Sequence, residues 1–327
     1  AQGSGRHGGA EGVRAEGCGP PALRRQMQAG DGAAPCGASG RRVLLFGWGA
    51  AAEAVLRELA GSHGTALAAL LCISHGQQAG DCDLREVCTG LGFACELSDS
   101  DEQILGLAGD FAPDLIVSAS YRRKISGSVL RLCADCINFH PSLLPKHRGC
   151  WSGFWAIFEG DAETGVTCHR MVEAFDRGHI LHQERLAIDS SDTSYSLYKR
   201  LLPVTGACAK RVFSLYFGSG LPQGCEQEGP ASYHYRKLPF GGTIQAEWAD
   251  EQVERFIRAM HFPPFEGAVA LVGGERVEVE SLPDYRRLVQ SAAAAAAPTA
   301  VAATAVTAAV AAGVVAGVPV ERAAKAG

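Results

Sequence analysis

The chain has 327 residues, a formal net charge of -5 and 47% hydrophobic residues. That length buries a real core and points to about two domains. The acidic balance excludes a polycation that grips nucleic acid non-specifically, and the hydrophobic content excludes a chain disordered throughout. The 12 cysteines do not follow an apolar stretch with a small-residue cleavage site. They read as reduced thiols in a cytoplasmic setting rather than a secreted disulfide framework. The first residue is Ala1 rather than methionine, which leaves an organellar location open.

Residues 1–40 are rich in Gly, Ala and Arg without a sustained apolar period, and predict a disordered segment. Arg42 to Phe46 is a short apolar run ending at Gly47-Trp48-Gly49, and Ala51 to Leu59 has apolar spacing of three and four, which predicts a first strand and helix. Leu67 to Ile73 reads as a strand buried on both faces. Asp114 to Ser118 and Cys136 to Phe139 predict two more strands, with a short helix from Ser128 to Cys133 between them. Gly165 to Val172 and Ile180 to Ile188 read as extended, and Tyr195 to Phe217 as a helix capped by the Ser191-Asp192-Thr193-Ser194 stretch. A smaller unit comes next, with a helix from Glu251 to His261 stopped by Pro263-Pro264. Residues 291–327 are an Ala-rich low-complexity tail; Pro298, Gly313, Gly317 and Pro319 interrupt it, so it does not read as a membrane helix.

The expected architecture is therefore α/β, a Rossmann-like open and mostly parallel sheet with a small C-terminal α+β unit. Its organisation is a disordered segment over 1–40, a catalytic domain over 41–230, a small subdomain over 231–290 and a low-complexity tail over 291–327.

Three motifs carry little chemistry. Gly47-Trp48-Gly49-Ala50-Ala51-Ala52 fits a loose dinucleotide loop, but the second strand ends in Cys72-Ile73-Ser74-His75 without the acidic residue that would hold a ribose. Cys133 and Cys136 form a lone C-x-x-C with no second pair at zinc spacing. His179 and His182, three apart on an extended segment, point to opposite faces. No metal is expected.

Ile137 to Pro145 is different. Asn138 and His140 share one face at the carboxyl end of a strand, where open α/β sheets place ligands. An amide that can donate to an oxyanion, beside an imidazole that can carry a proton, suits acyl transfer. Asp176, in the loop Phe175-Asp176-Arg177-Gly178, is a carboxylate that would orient the His140 ring and favour its charged form.

With these residues assembled, the chain resembles the folate-dependent formyltransferases. The resemblance lies in Asn138-x-His140 followed by Ser142-Leu143-Leu144-Pro145 and Arg148-Gly149, then Gly165-Val166-Thr167 and the Asp176-x-Gly178-x-Ile180 loop, and runs from about Arg42 to Ala268. It implies that Asn138, His140 and Asp176 are catalytic and that 10-formyltetrahydrofolate is the co-substrate, with no metal. Contacts to that co-substrate would come from Tyr121, Arg123, Lys124 and Ile125 and from Val172, Glu173, Ala174 and Phe175. Within the family, Glu163 to Thr167 and His169 to Val172 look most like enzymes that formylate a nucleotide-linked amino sugar. Cys150 departs from the arginine that often follows the Arg-Gly pair in those enzymes, and the short C-terminal unit argues against methionyl-tRNA as acceptor. A methionyl-tRNA formyltransferase, a 10-formyltetrahydrofolate hydrolase and a non-catalytic folate or nucleotide binder stand as alternatives. A homodimer is compatible with the sequence, and no membrane partner is expected.

Overall fold

The computed structural model describes residues 40–62, 66–75 and 82–296. The segment expected to be disordered and most of the low-complexity tail lie outside the described residues.

Among the described residues, eleven strands and eight α-helices succeed one another along the chain. They are β1 (Arg41–Gly47), α1 (Gly49–Ser62), β2 (Leu67–Ser74), α2 (Leu84–Gly90), β3 (Ala94–Leu97), α3 (Asp101–Phe111), β4 (Leu115–Ala119), α4 (Gly127–Leu130), β5 (Cys136–His140) and β6 (Arg148–Gly149). Then come α5 (Ser152–Phe158), β7 (Glu163–Arg170), β8 (Ile180–Ala187), α6 (Ser194–Ser219), β9 (Tyr233–His234), α7 (Asp250–Met260), β10 (Ala268–Val272), β11 (Glu275–Val279) and α8 (Leu282–Ala296).

Seven strands form one sheet in the order β3-β2-β1-β4-β5-β7-β8. β1, β2, β3, β4 and β5 pair in parallel, while β7 and β8 add antiparallel. The reason is visible in β1 and β4, whose apolar runs are buried on both faces and need helices above and below. Alternate residues serve opposite layers. Val43 and Leu45 join Val55, Leu59, Val212 and Phe213 in one core, while Leu44 and Phe46 join Ile104, Leu107 and Phe111 in the other. The first core continues without a break into α5 and the C-terminal unit through Phe154, Phe158, Phe256 and Val279.

Local chemistry sets the boundaries. Ser100 caps α3 by accepting from Gln103, and Thr193 with Ser196 closes a capping box on α6. β10 and β11 form a hairpin whose turn residues Gly273 and Gly274 both have positive φ, 61° and 90°. α7 buries Val253, Phe256, Ile257 and Met260, the one-face spacing of an amphipathic helix.

Most expected strands and helices stand where the pattern put them. Two differences are instructive. The short helix expected from Ser128 to Cys133 is α4, which begins at Ser126 as N-cap and gives way to a turn after Leu130. The segment between β2 and β4, which carried no expectation, holds α2, β3 and α3; β3 is a half-buried edge strand too short to show a period.

Candidate active site

The carboxyl end of β5 delivers Asn138 and His140 to one edge of the sheet. β7 lies antiparallel beside it, with His169 directly opposite Asn138. The loop between β7 and β8 then brings in Asp176, whose φ of 53° is left-handed. Aspartate tolerates that region better than most residues, yet the conformation is strained and is held by its surroundings. Gln227 Nε2 donates to the carbonyls of Asp176 and Gly178, both at 2.8 Å. Gly178 itself packs so tightly that a Cβ there would lie 1.8 Å from the Arg170 carbonyl oxygen.

Asp176 is the hub. Its Oδ2 accepts the Gly149 amide at 2.8 Å and lies 3.6 Å from His140 Nδ1. Its Oδ1 is 3.4 Å from His169 Nε2 and 3.5 Å from Asn138 Nδ2. Burial alone would push the Asp176 carboxyl upward. The charge of His140, the hydrogen bond and charge of His169 and the Gly149 amide outweigh it and hold Asp176 well below the usual carboxylate range. It is an anion at any working pH.

His140 is 5% exposed. Its Nε2 sits 2.8 Å from the His147 carbonyl oxygen, which can only accept, so that nitrogen carries a proton. Its Nδ1 faces the Asp176 carboxylate beyond hydrogen-bond range. A proton there is attracted by the carboxylate without being locked to it, which is what a proton donor requires.

His169 is the residue that sequence reasoning passed over as a site member. It is 2% exposed, its Nδ1 donates to the Arg170 carbonyl at 2.8 Å, and its Nε2 lies 3.2 Å from Asn138 Nδ2. Its Nε2 thus stands between the Asn138 amide and the Asp176 carboxylate and ties the two together. The signal was a histidine in a largely buried strand, His169 in Val166-Thr167-Cys168-His169, which becomes meaningful only once β7 is known to pair with β5.

The residues expected to meet the co-substrate spread over two loops that touch. Lys124 Nζ lies 5.8 Å from the centre of the Phe175 ring, bridging them. Val172 and Phe175 are about half exposed, and Ala174 is exposed. Arg123 is engaged by Asp99 at 3.4 Å and Asp101 at 3.0 Å, and Glu173 by Arg131 at 3.6 Å. Ile125 packs against the second core. Tyr121 stacks edge-on against Phe46 and His75, and its hydroxyl is buried without a hydrogen-bond partner among the described residues, as is His75 Nδ1. Such orphaned polar atoms near the ends of β2 and β4 fit a heterocycle with donors and acceptors of its own. Arg122 stacks over Trp48 at 4.7 Å.

The fold and this cluster together define an acyl-transfer enzyme of the open-sheet class. Residues 43–212 match the sequence profile described as formyl transferase, and the chain belongs to that family. A GDP-perosamine N-formyltransferase of Brucella melitensis is 38% identical over 252 residues, which is 76% of this chain and 96% of that protein. Among solved structures, a sugar N-formyltransferase from a Shewanella species superposes with a TM-score of 0.61 at 19% identity, covering 73% of this chain and 96% of that one. An N-formyltransferase from Helicobacter canadensis, in complex with folinic acid and dTDP-3-aminofucose, gives 0.60 at 18% identity over 72% and 85% of the two chains. At those identities the structural likeness speaks for the shared fold.

Proposed function

We propose that this enzyme transfers the formyl group of 10-formyltetrahydrofolate to the amino group of a nucleotide-linked sugar, with Asn138, His140 and Asp176 as its catalytic residues. The observation that carries the reading is the convergence of these three side chains and His169 on one buried point at the sheet's carboxyl edge. The relative from Brucella supports the acceptor class, since the similarity extends past the catalytic sheet into the C-terminal unit.

In this reading the neutral amine attacks the formyl carbon and a carbon–nitrogen bond forms as the bond to the folate nitrogen breaks. The Asn138 amide gives up its long contact with Asp176 and donates to the formyl oxygen as that oxygen gains charge. His140 offers its Nδ1 proton to the same centre, and the Asp176 anion stabilises the charged ring. The amine proton leaves with the reaction and ends on the departing nitrogen. None of these steps calls for a metal.

The mouth of the site suits a nucleotide. Trp151 and Tyr233 are two-fifths exposed and Tyr235 three-quarters, offering faces for a base. Burial first and the charge of Arg177 second push Arg148 downward, while Asp176 pulls it back up. A diphosphate would add charge of the sign these two guanidinium groups favour.

The test is a chromatographic assay of the purified chain with 10-formyltetrahydrofolate, following tetrahydrofolate and N-formyl product together. The amines are GDP- and dTDP-linked amino sugars, with charged initiator tRNA as a separate arm. Matching release and product with one amino sugar alone is expected. Release without any amine indicates the hydrolase, product on tRNA indicates the methionyl-tRNA enzyme, and binding without turnover indicates a folate or nucleotide binder; each overturns the acceptor proposed. A reducing, cytoplasm-like compartment accords with the free thiols of every cysteine among the described residues. No helix among those residues is long and apolar enough to cross a membrane. A homodimer is a further expectation, read out by sedimentation.

A further inference from the structure

A second cluster of side chains beside the active site has no task in formyl transfer. His147 is 2% exposed in the loop after β5. Its Nε2 lies 2.9 Å from Asp161 Oδ2, and the other oxygen of Asp161 accepts from Lys146 Nζ at 2.8 Å. Its Nδ1 faces His234 Nε2 at 3.1 Å. The two imidazoles are stacked, and Trp155 stacks in turn on His234 with ring centres 4.2 Å apart and planes 10° from parallel. A carboxylate oxygen of Glu159 completes the set, with the three candidate ligand atoms all within 4.8 Å of one another.

We propose that His147 Nδ1, His234 Nε2 and the Glu159 carboxylate bind one divalent transition-metal ion, zinc by the chemistry of the donors, and that this ion staples the C-terminal unit to the catalytic loop.

Three observations carry the assignment. The first is spacing: two nitrogens sharing a zinc ion at about 2.0–2.1 Å in a tetrahedral arrangement stand roughly 3.3 Å apart, close to the distance between these rings. The second is the carboxylate behind the ligand. Asp161 takes the proton of His147 Nε2, so the Nδ1 lone pair accepts from His234 Nε2, with the Ser232 hydroxyl 3.5 Å away, and an ion would take the place of that shared proton; a carboxylate behind the ring is the arrangement that orients metal-binding histidines. The third is pre-organisation: Trp155 stacks on the His234 ring, Asp161 holds the His147 ring at Nε2, and the Ser232 hydroxyl accepts the His147 backbone amide at 2.8 Å. Glu159 is exposed, so the site opens to solvent on its side.

Location gives the ion its consequence. His147 and Glu159 are near neighbours in the chain, in the loop after β5 and at the end of α5, whereas His234 comes from β9, well beyond them. The backbone carbonyl of His147 is the acceptor that fixes His140 Nε2, so an ion on the His147 ring steadies the catalytic imidazole through one residue. A rival cluster exists in Cys72, Cys88 and Cys95, whose sulfurs are equally close. Those thiols belong to the core around β2 and β3, and any test has to tell the two apart.

The experiment uses the full, tag-free chain stripped with a chelator and titrated with cobalt(II), then with zinc. We expect one equivalent of cobalt with the visible bands of a nitrogen–oxygen site, displacement by zinc, a change in tryptophan fluorescence from Trp155, and a rise in Tm. His234→Ala abolishes binding, Glu159→Gln weakens it, and Asp161→Asn weakens it by roughly 10–100-fold. A Cys72→Ser/Cys95→Ser variant binds like the parent. A thiolate-to-cobalt charge-transfer band overturns the proposal, as does unchanged affinity in Glu159→Gln and Asp161→Asn, or no uptake at all. Should His234→Ala fail to fold, the two carboxylate variants on the rim decide the question.

Discussion

Asp176 shows how much one side chain does here: it is an anion, a strained turn residue and the common neighbour of Asn138, His140, His169 and the Gly149 amide. Replacing Asn138, His140 or Asp176 by alanine is expected to lower kcat by roughly two to four orders of magnitude while the circular dichroism stays that of the native fold. An active His140→Ala enzyme would remove the imidazole from the mechanism. Asp176 also makes stability depend on pH. Its carboxyl is depressed in the folded state, so its contribution is complete above the unfolded value of about 4 and disappears as the pH falls through the folded one. Asp176→Asn should flatten the acid side of the stability curve, measured by denaturant melts between neutral and acid pH, with little change in slope above neutrality. That Asn138 and His140 share one edge of the sheet was legible because motif and strand end coincide, and Asp176 was legible from the loop Phe175-Asp176-Arg177-Gly178. His169 was not, because its role depends on a register between antiparallel strands, and Tyr121 reveals its unpartnered hydroxyl only once packed.

Among the elements, α6 combines a strong start with an awkward middle. Thr193 and Ser196 close its first turn, but Pro203 lies inside it with its ring exposed, removing one helical hydrogen bond. Since proline costs about 3 kcal/mol relative to alanine in a helix interior, Pro203→Ala should raise stability by about 1–3 kcal/mol, read as an increased denaturation midpoint at unchanged m. A loss would mean that the bend at Pro203 is needed to seat α6 on the sheet. Continuous apolar runs made β1, β2, β4 and β5 readable, and alternating spacing did the same for α6 and α7. β3 escaped because its residues Ala94-Cys95-Glu96-Leu97 are only half-buried at the sheet edge. The β10–β11 hairpin carried its own signal in Gly273-Gly274, which is a turn signature only when the flanking runs are taken as strands.

Across the whole molecule, one core joins the sheet to the C-terminal unit. Phe154 and Phe158 of α5 pack on Phe256 of α7, with ring centres 5.8 and 5.9 Å apart, and Trp248 adds to the same aromatic group. Phe256 is fully buried. Phe256→Ala is expected to cost about 3–5 kcal/mol, seen as a lowered midpoint in a single transition. Two separate transitions would show instead that the C-terminal unit melts on its own.

The hold of Gln227 on the Asp176 loop has a further meaning during synthesis. The strand bearing Asn138 and His140 and the loop bearing Asp176 leave the ribosome first, while Gln227, Ser232 and His234, which brace Asp176 and His147, come later. A nascent chain that has delivered the sheet but not these residues holds the chemical groups without the bracing that fixes their geometry. Competence therefore arrives only once the residues around 227–234 have followed the sheet out and closed on it.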